Sequence, residues 1–340
     1  MQHSPLPLIP QGAAYFPVRV KATPGQYAFF LLPGFTLSAF SNALDPFRIA
    51  NQLSQKPLYH WQIFSQDGAP AASSSGVAVL VDGALQSLDR DTTLFVCSGT
   101  MGQAEPSRHT LALLARHHRF GGKVGGICTG ADALARAGLL KDRTFTLHWE
   151  NQPSFIERFP DLLPSTRKFE IDRRVLTCGG GAAATDLALK LIEQDHGLKF
   201  ASVVCDMCLH RVSLGADLPQ RASLASRLQT RNPTLIRILK WMSEHIEDPL
   251  GLDDLSGRAG ISRRQIERLF TTILNTTPAK YYQNLRLDHA RSLLSETDLA
   301  LLDVAIACGF STRSHFARAF RAKFGCQPSS FHHNIIERSD

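Results

Sequence analysis

The sequence contains no apolar run of about 18 residues, so no membrane-spanning helix is expected. Its first residues, MQHSPLPLIPQG, carry no basic cluster and are broken by Pro5, Pro7 and Pro10. No secretory leader is read there, and residues 1–24 are expected to form a mobile tail. Cysteine is sparse and odd in number: seven residues, scattered through the chain. That argues against a paired disulfide framework and fits free thiols in a reducing cytoplasm. Cys205 and Cys208 form one CxxC in an apolar helical stretch, but no second pair follows and only His210 lies near. Structural thiols are expected there, with no metal site and no cofactor.

What is present suggests two folded domains. The chain has 340 residues, and one domain typically takes about 150. With 44% apolar residues, each domain can bury a core. The formal charge is +7, unevenly spread: residues 221–340 hold 17 Lys+Arg against 12 Asp+Glu. A basic C-terminal third points to a polyanionic partner.

That third contains an internal repeat, DLSGRAGISRRQIERLF from Asp254 and DVAIACGFSTRSHFARAF from Asp303. Asp254, Gly260 and Ser262 recur 49 positions later as Asp303, Gly309 and Ser311; Ile266, Arg268 and Phe270 recur 50 later as Phe316, Arg318 and Phe320. In each copy a short apolar helix runs to Ala259 or Cys308. Gly260 or Gly309 supplies a left-handed turn. Ser262 or Ser311 is expected to cap the next helix. That helix buries Ile266, Leu269 and Phe270, or Phe316, Ala319 and Phe320, at helical spacing. Its other face presents Arg263, Arg264, Gln265 and Arg268, or Thr312, Arg313, Ser314, His315 and Arg318, side chains suited to phosphates and base edges. This is helix-turn-helix patterning, repeated and joined by an expected helix over Pro278–Leu294.

The segments GISRRQIERLF, TPAKYYQNLRLDHARSLL and ACGFSTRSHFARAFRAKFGCQPSSF closely resemble the AraC/XylS family of transcription regulators over about residues 234–332. The resemblance implies two recognition helices entering successive major grooves of double-stranded DNA roughly 34 Å apart. It leaves Asp303 and His315 as candidates for framework roles.

The preceding two thirds alternate strand-like runs with helix-like segments. The strand-like runs are Tyr27–Leu32, Trp61–Phe64, Thr93–Cys97 and Lys123–Ile127; the helix-like ones are Ser38–Gln52, Ser107–His118, Gly130–Ala137 and Ala182–His196. This predicts an α/β domain with a largely parallel sheet. Within it, Lys123–Ile127 leads through Cys128, Thr129 and Gly130 into the segment ADALARAG: strand, sharp turn, helix, with a cysteine at the corner, as in a nucleophile elbow. The helix start should favour an anion or a thiolate. His148 follows a strand-like stretch and Glu150 lies two residues on, so a Cys–His pair for nucleophilic catalysis is one reading. A binding corner, with the Thr129 and Gly130 amides available to a carboxylate, is the other. Ser98 ends a strand, where open α/β sheets usually form pockets. Trp149 is either core or a wall that holds a cationic head group; Trp61 is read as core.

GGICTGADALARAGLL, TLHWEN, TCGGGAAATDLALKLIEQDHG and LLPGFTLSAFSNALDPFRIAN resemble the class I glutamine amidotransferase-like superfamily, in its PfpI-related branch, over about residues 26–200. Its combination with an AraC-type domain resembles the regulators of arginine, carnitine and glycine betaine catabolism. HWEN, FEID (Phe169–Asp172) and the CTG corner look most like the glycine betaine regulators. The PfpI-type enzymes place a glutamate soon after the first strand, beside the cysteine. Here Phe30 to Leu44 contains no acidic residue, which favours binding over catalysis and makes Cys128 and His148 vestigial.

The expected fold is therefore an α/β flavodoxin-like (amidotransferase-like) sandwich sensor domain followed by an all-α domain with two helix-turn-helix units. The expected divisions are a tail at 1–24, a sensor at 25–205, a linker at 206–232 and a DNA-binding domain at 233–332. The expected function is that of a cytoplasmic transcription regulator, an activator. Its expected partners are double-stranded DNA, RNA polymerase, a second copy in a homodimer, and an amino acid or quaternary amine bound near Cys128, Thr129, Gly130, His148, Trp149 and Ser98. The alternative is a DNA-tethered, Cys128-dependent amidase or peptidase.

Overall fold

Strand β1 (Gly25–Leu31) shows how the sequence sorts into layers. Successive side chains of a strand leave on opposite faces. Tyr27, Phe29 and Leu31 enter one core cluster, while Ala28, Phe30 and Leu32 enter another. Both faces are apolar, which demands helices on both sides. The computed structural model describes residues 9–18, 23–99, 105–210, 219–220, 228, 230 and 232–330. It divides into two compact units, Met1–Gln220 and Arg221–Asp340.

In the first unit the remaining strands are β2 (Tyr59–Ser65), β3 (Ala71–Ala72), β4 (Ala78–Val79), β5 (Gly83–Ala84), β6 (Thr92–Cys97), β7 (Lys123–Ile127), β8 (Phe169–Asp172) and β9 (Val175–Cys178). Among the described residues the main sheet has seven strands in the order β5-β2-β1-β6-β7-β9-β8. All its pairings are parallel except the edge hairpin β8–β9. Helices α1 (Leu37–Ser54), α5 (Ala182–His196) and α6 (Leu198–Met207) pack on the Phe29 face. Helices α2 (Arg108–Arg119), α3 (Ala131–Arg136) and α4 (Gln152–Arg158) pack on the Phe30 face. The result is the expected flavodoxin-like sandwich, and the helices and strands read from periodicity occur within a few residues of their expected ends, apart from the strand-like stretch before His148.

Three features differ from the reading. The stretch before His148 is not a strand; its backbone is held by single bonds, Thr146 N to Thr177 Oγ1 at 2.9 Å and His148 N to Cys128 O at 3.2 Å. The β8–β9 hairpin has no counterpart among the runs read as strands. In the stretch expected as a tail, Phe16 donates its amide to Leu53 O at 2.8 Å and packs its ring against Phe200 at 5.6 Å. Most of the expected linker, including 211–218 and 221–227, lies outside the described residues.

The second unit consists of α7 (Pro233–Glu244), α8 (Leu252–Ala259), α9 (Arg263–Leu274), α10 (Pro278–Glu296), α11 (Leu301–Ala307) and α12 (Arg313–Phe324). It has two small cores, one around Ile266 and Phe270, the other around Phe316 and Phe320. The connecting helix α10 braces both. Tyr282 donates its hydroxyl to His245 O, and Arg286 donates to Cys308 O at 2.7 Å with its guanidinium 4.2 Å from the Phe310 ring. Gly260 and Gly309 take φ of 66° and 67°, as the turn reading requires. Ser262 caps α9 by accepting from Gln265 N. The second copy departs from expectation: Thr312, not Ser311, caps α12 by accepting from His315 N. The inserted residue is the reason. Phe310 and Ser311 span the turn that Ile261 spans alone, and Phe310 is buried beneath Arg286.

The two turn glycines should not be equally replaceable. A Cβ at Gly260 meets nothing within 4 Å, whereas at Gly309 it would lie 2.6 Å from Glu247 O and 2.7 Å from Ile246 O. Gly260→Ala should cost about 1–2 kcal/mol, the left-handed strain alone. Gly309→Ala should cost clearly more in the denaturant transition of the C-terminal unit; equal losses would contradict the packing described.

Candidate functional site

The corner at Cys128 is built by close approach. The end of β7 and the start of α3 come so near β6 that a Cβ on Gly130 would lie 2.0 Å from Val96 O. Cys128 itself adopts φ 61°, a left-handed conformation unusual for a non-glycine residue. This is the strained strand-to-helix turn of an elbow. Cys128 is 6% exposed. Its sulfur lies 3.6 Å from Thr36 Oγ1, and the Thr129 amide also points at it. A Cβ on Gly180 would lie 2.8 Å from the Cys128 Cβ and 3.2 Å from the sulfur, so the corner packs closely against that glycine. Thr36, in the turn after β1, puts a hydroxyl rather than a carboxylate beside the sulfur.

Two of the expected anion contacts do not survive. The Gly130 amide is spent on Ile127 O at 3.0 Å, leaving Thr129 as the amide that faces the sulfur. Helix α3 spans only Ala131–Arg136, and its first turn carries Asp132, paired to Arg136 at 2.8 Å and Arg158 at 2.7 Å. Its dipole therefore offers little positive field. The Thr129 hydroxyl donates to Gly99 O at 3.0 Å, and Ser98 is half-buried at the end of β6.

The histidine reaches the corner through its backbone. The His148 amide donates to Cys128 O. Its ring bonds to the Asn151 side chain and stands 4.0 Å from Glu150 Oε2. No hydrogen bond joins the imidazole to the thiol among the described residues. Burial pushes the Cys128 thiol up, with Glu150 adding to the rise and Thr36 and Thr129 opposing it. Burial pushes the His148 imidazole down, against Glu150 and Asn151. Both shifts favour neutral groups, the opposite of the thiolate–imidazolium pair a cysteine hydrolase uses. Trp149 is not core: it is 38% exposed, with its ring 5.4 Å from that of His148. Trp61 packs partly buried on the core.

Sequence reasoning missed Gln220. This residue of the expected linker packs in the first unit, accepting from the Trp149 amide at 2.9 Å and donating to Leu147 O at 2.8 Å. Nothing local marks it, because its partners lie more than fifty positions away in the chain. It also missed a cavity of about 670 Å³ lined by Gln26, Asp89, Asp91 and Asp195. That cavity opens at the N-terminal ends of β1 and β6, whereas open α/β sheets bind at the C-terminal ends, where Cys128 lies. The cysteines are free, Cys205 donates its thiol to His210 O at 3.1 Å, and no metal-ligand cluster occurs among the described residues. No described helix is long and apolar enough to cross a membrane.

In the second unit the arginines of both helices are exposed: Arg263, Arg264 and Arg268 on α9, Arg313 and Arg318 on α12. Ser314 is exposed beside them. Arg263 forms a two-armed ion pair with Asp253 of α8. Two residues expected at the DNA also have framework tasks. Gln265 closes a capping box by accepting from Ser262 N at 2.8 Å, and the Thr312 hydroxyl is spent on its cap. His315 packs edge-on against Phe310, in keeping with a framework role.

Because burial raises the thiol, the thiolate fraction at neutral pH should be small. Alkylation of the Cys128 peptide by iodoacetamide should keep accelerating as pH rises past about 8.5, the ordinary thiol value. A plateau below that pH would show an activated cysteine.

Comparison with known proteins agrees with both halves. The Helix-turn-helix domain family matches residues 255–334, and the DJ-1/PfpI family matches residues 43–194. The chain is 41% identical over 302 residues to the HTH-type transcriptional regulator CdhR of Pseudomonas aeruginosa, covering 88% of this chain and 89% of that one. It is 37% identical over 305 residues to the HTH-type transcriptional regulator GbdR of the same species, covering 90% and 83%. A solved AraC family transcriptional regulator from Pseudomonas putida covers 54% of this chain and 100% of its own, at 28% identity and a TM-score of 0.49. The full-length relatives are named as regulators, so the enzyme reading is not favoured. The chain belongs to the AraC-type helix-turn-helix transcription regulators that carry an N-terminal DJ-1/PfpI domain and bind double-stranded DNA.

Proposed function

We propose that the first unit is a non-catalytic sensor for a small zwitterion, an amino acid or a quaternary amine, and that its occupancy controls transcription as an activator. The observation that carries this reading is the Cys128 corner, whose thiol and neighbouring His148 imidazole are both shifted toward their neutral forms, with the 38% exposed Trp149 beside them. The Thr36 hydroxyl and the Thr129 amide supply donors for a carboxylate beside the sulfur. Trp149 supplies a face for the cationic head, and Glu150 a charge near it. Cys128 contributes shape and polarity rather than a nucleophile, and Ser98 borders the same strand end.

On this reading the sensor, about 25–205, is joined through a linker, about 206–232, to the DNA-binding domain, about 233–332. The protein acts in the cytoplasm as a homodimer that engages RNA polymerase. Support for the DNA contacts comes from exposure and charge: Arg263, Arg264 and Arg268 on one recognition helix, Arg313, Ser314 and Arg318 on the other. Arg263 must exchange Asp253 for a phosphate to take part.

Calorimetry with a panel of amino acids and quaternary amines should find saturable binding that Trp149→Ala weakens; no heat from any member would sink the sensor reading. Arg264→Ala or Arg313→Ala should weaken operator binding by about 1–3 kcal/mol at fixed salt if the arginine reads a guanine. Unchanged affinity in both variants would remove these helices from the DNA interface.

A further inference from the structure

The chain leaves the sensor through a residue that is fastened to the effector corner. Gln220 is the last residue of the first unit, and eleven residues separate it from Asn232, which caps α7. Its backbone amide donates to Thr166 O at 2.9 Å, and Pro219 beside it forms an antiparallel bridge with Arg167. Its side-chain amide is fully engaged. Nε2 lies 2.9 Å from Thr146 Oγ1, 2.8 Å from Leu147 O and 3.0 Å from Arg167 O, while Oε1 accepts from Trp149 N at 2.9 Å. An amide offers two N–H groups and one carbonyl, so this site uses both kinds of group.

The position of that side chain is informative. On one side it holds the amide of Trp149, the residue after His148. On the other it fills the space where Gly179 has no side chain; a Cβ there would lie 2.4 Å from the Gln220 Cδ and Oε1. Gly179 precedes Gly180, which faces the Cys128 sulfur. One side chain from the tether thus touches both backbone segments that frame the corner. A second fastening lies upstream, where His210 Nε2 is 2.7 Å from Asp186 Oδ1 and Lys168 Nζ is 3.2 Å from Asp186 Oδ2.

We propose that Gln220 is a positioning residue that couples the effector corner to the tether of the DNA-binding unit. An occupant beside His148 and Trp149 shifts the 146–149 backbone, breaks the Gln220 hydrogen bonds and frees the tether. The proposal rests on the sensor reading given above. The geometry also says which substitution is sharpest. Gln220→Glu keeps the size but replaces the Nε2 donor by an oxygen facing the carbonyls of Leu147 and Arg167, leaving acceptors against acceptors.

The test compares full-length wild type, Gln220→Glu and Gln220→Ala, each alone and with glycine betaine, carnitine or arginine. Three quantities are read: the melting transition, hydrogen exchange at the Trp149 amide, and trypsin cleavage after Arg221. A protease needs the chain around the scissile bond extended and free, so the bridge at Pro219 and Gln220 should slow that cut. Without addition, both variants should exchange the Trp149 amide at least tenfold faster than wild type and be cut at least fivefold faster. A compound that raises the wild-type melting transition should bring wild-type exchange and cleavage up to the variants' rates. It should still raise the variants' melting transitions, with no further change in their exchange or cleavage. Equal rates in all three proteins without addition overturn the latch. A compound that raises the melting transition while Trp149 and Arg221 stay protected in wild type overturns the coupling and leaves the sensor reading intact. If no compound moves any melting transition, the sensor reading fails and the coupling falls with it.

Discussion

The turn from β7 to α3 is the constraint on which the sensor depends. A Cβ on Gly125 would lie 2.2 Å from the Phe95 ring, and one on Gly126 would lie 2.5 Å from the Ala131 amide. With Gly130 against Val96 O, three glycines let a strand reverse into a helix inside the core. That reversal forces Cys128 to φ 61° and places its sulfur at the C-terminal end of the sheet. Thr36, Thr129, His148 and Gly180 all reach the corner because the backbone turns there. The glycines fix the shape of the corner and leave its chemistry to the neighbours of the thiol.

Those neighbours select binding over catalysis. An elbow hydrolase needs a thiolate and a base within hydrogen-bond reach. Here the residue after β1 that meets the sulfur is Thr36, a neutral hydroxyl, and the His148 ring turns to Asn151 and Glu150. The nearby thiols are no more reactive: burial pushes Cys178 up to about 12. A corner with donors, an aromatic wall and no thiol–imidazole hydrogen bond among the described residues is suited to recognising a ligand and releasing it unchanged. Recognition affects transcription only if it reaches the second unit, and Gln220 lies on the covalent path between them.

How much the sequence revealed follows the range of each interaction. The helix-turn-helix pair was legible because its signals are local: a glycine at 66° or 67°, a cap, and apolar residues three and four apart. Even there one inserted residue moved the second cap from Ser311 to Thr312, since counting along the chain does not show that Phe310 turns inward under Arg286. The strand-turn-helix at Cys128 was legible from small residues between an apolar run and a helical one. The loss of the Gly130 amide to Ile127 O was not, because spacing does not say which amides remain free. The β8–β9 hairpin was hidden by the shortness of its strands, and Gln220 by partners far away in the chain. Gln265 and Thr312 have the right types and positions for DNA contact, yet their side chains stabilise the helices that carry the arginines.

The account makes the Cys128 corner a receptor whose occupancy is transmitted to the DNA-binding unit, with no bond made or broken at sulfur. The most direct measurement compares Cys128→Ser with Cys128→Trp in a transcription reporter, alongside effector affinity and DNA affinity for each protein. Serine keeps the size and polarity of the corner but is a far weaker nucleophile; tryptophan is too large for a corner packed so closely against Gly180. The account predicts that the serine variant still responds to the effector, while the tryptophan variant loses the response and retains full DNA affinity. Loss of the response in the serine variant, with effector affinity unchanged, would contradict it and make the thiol's chemistry the signal.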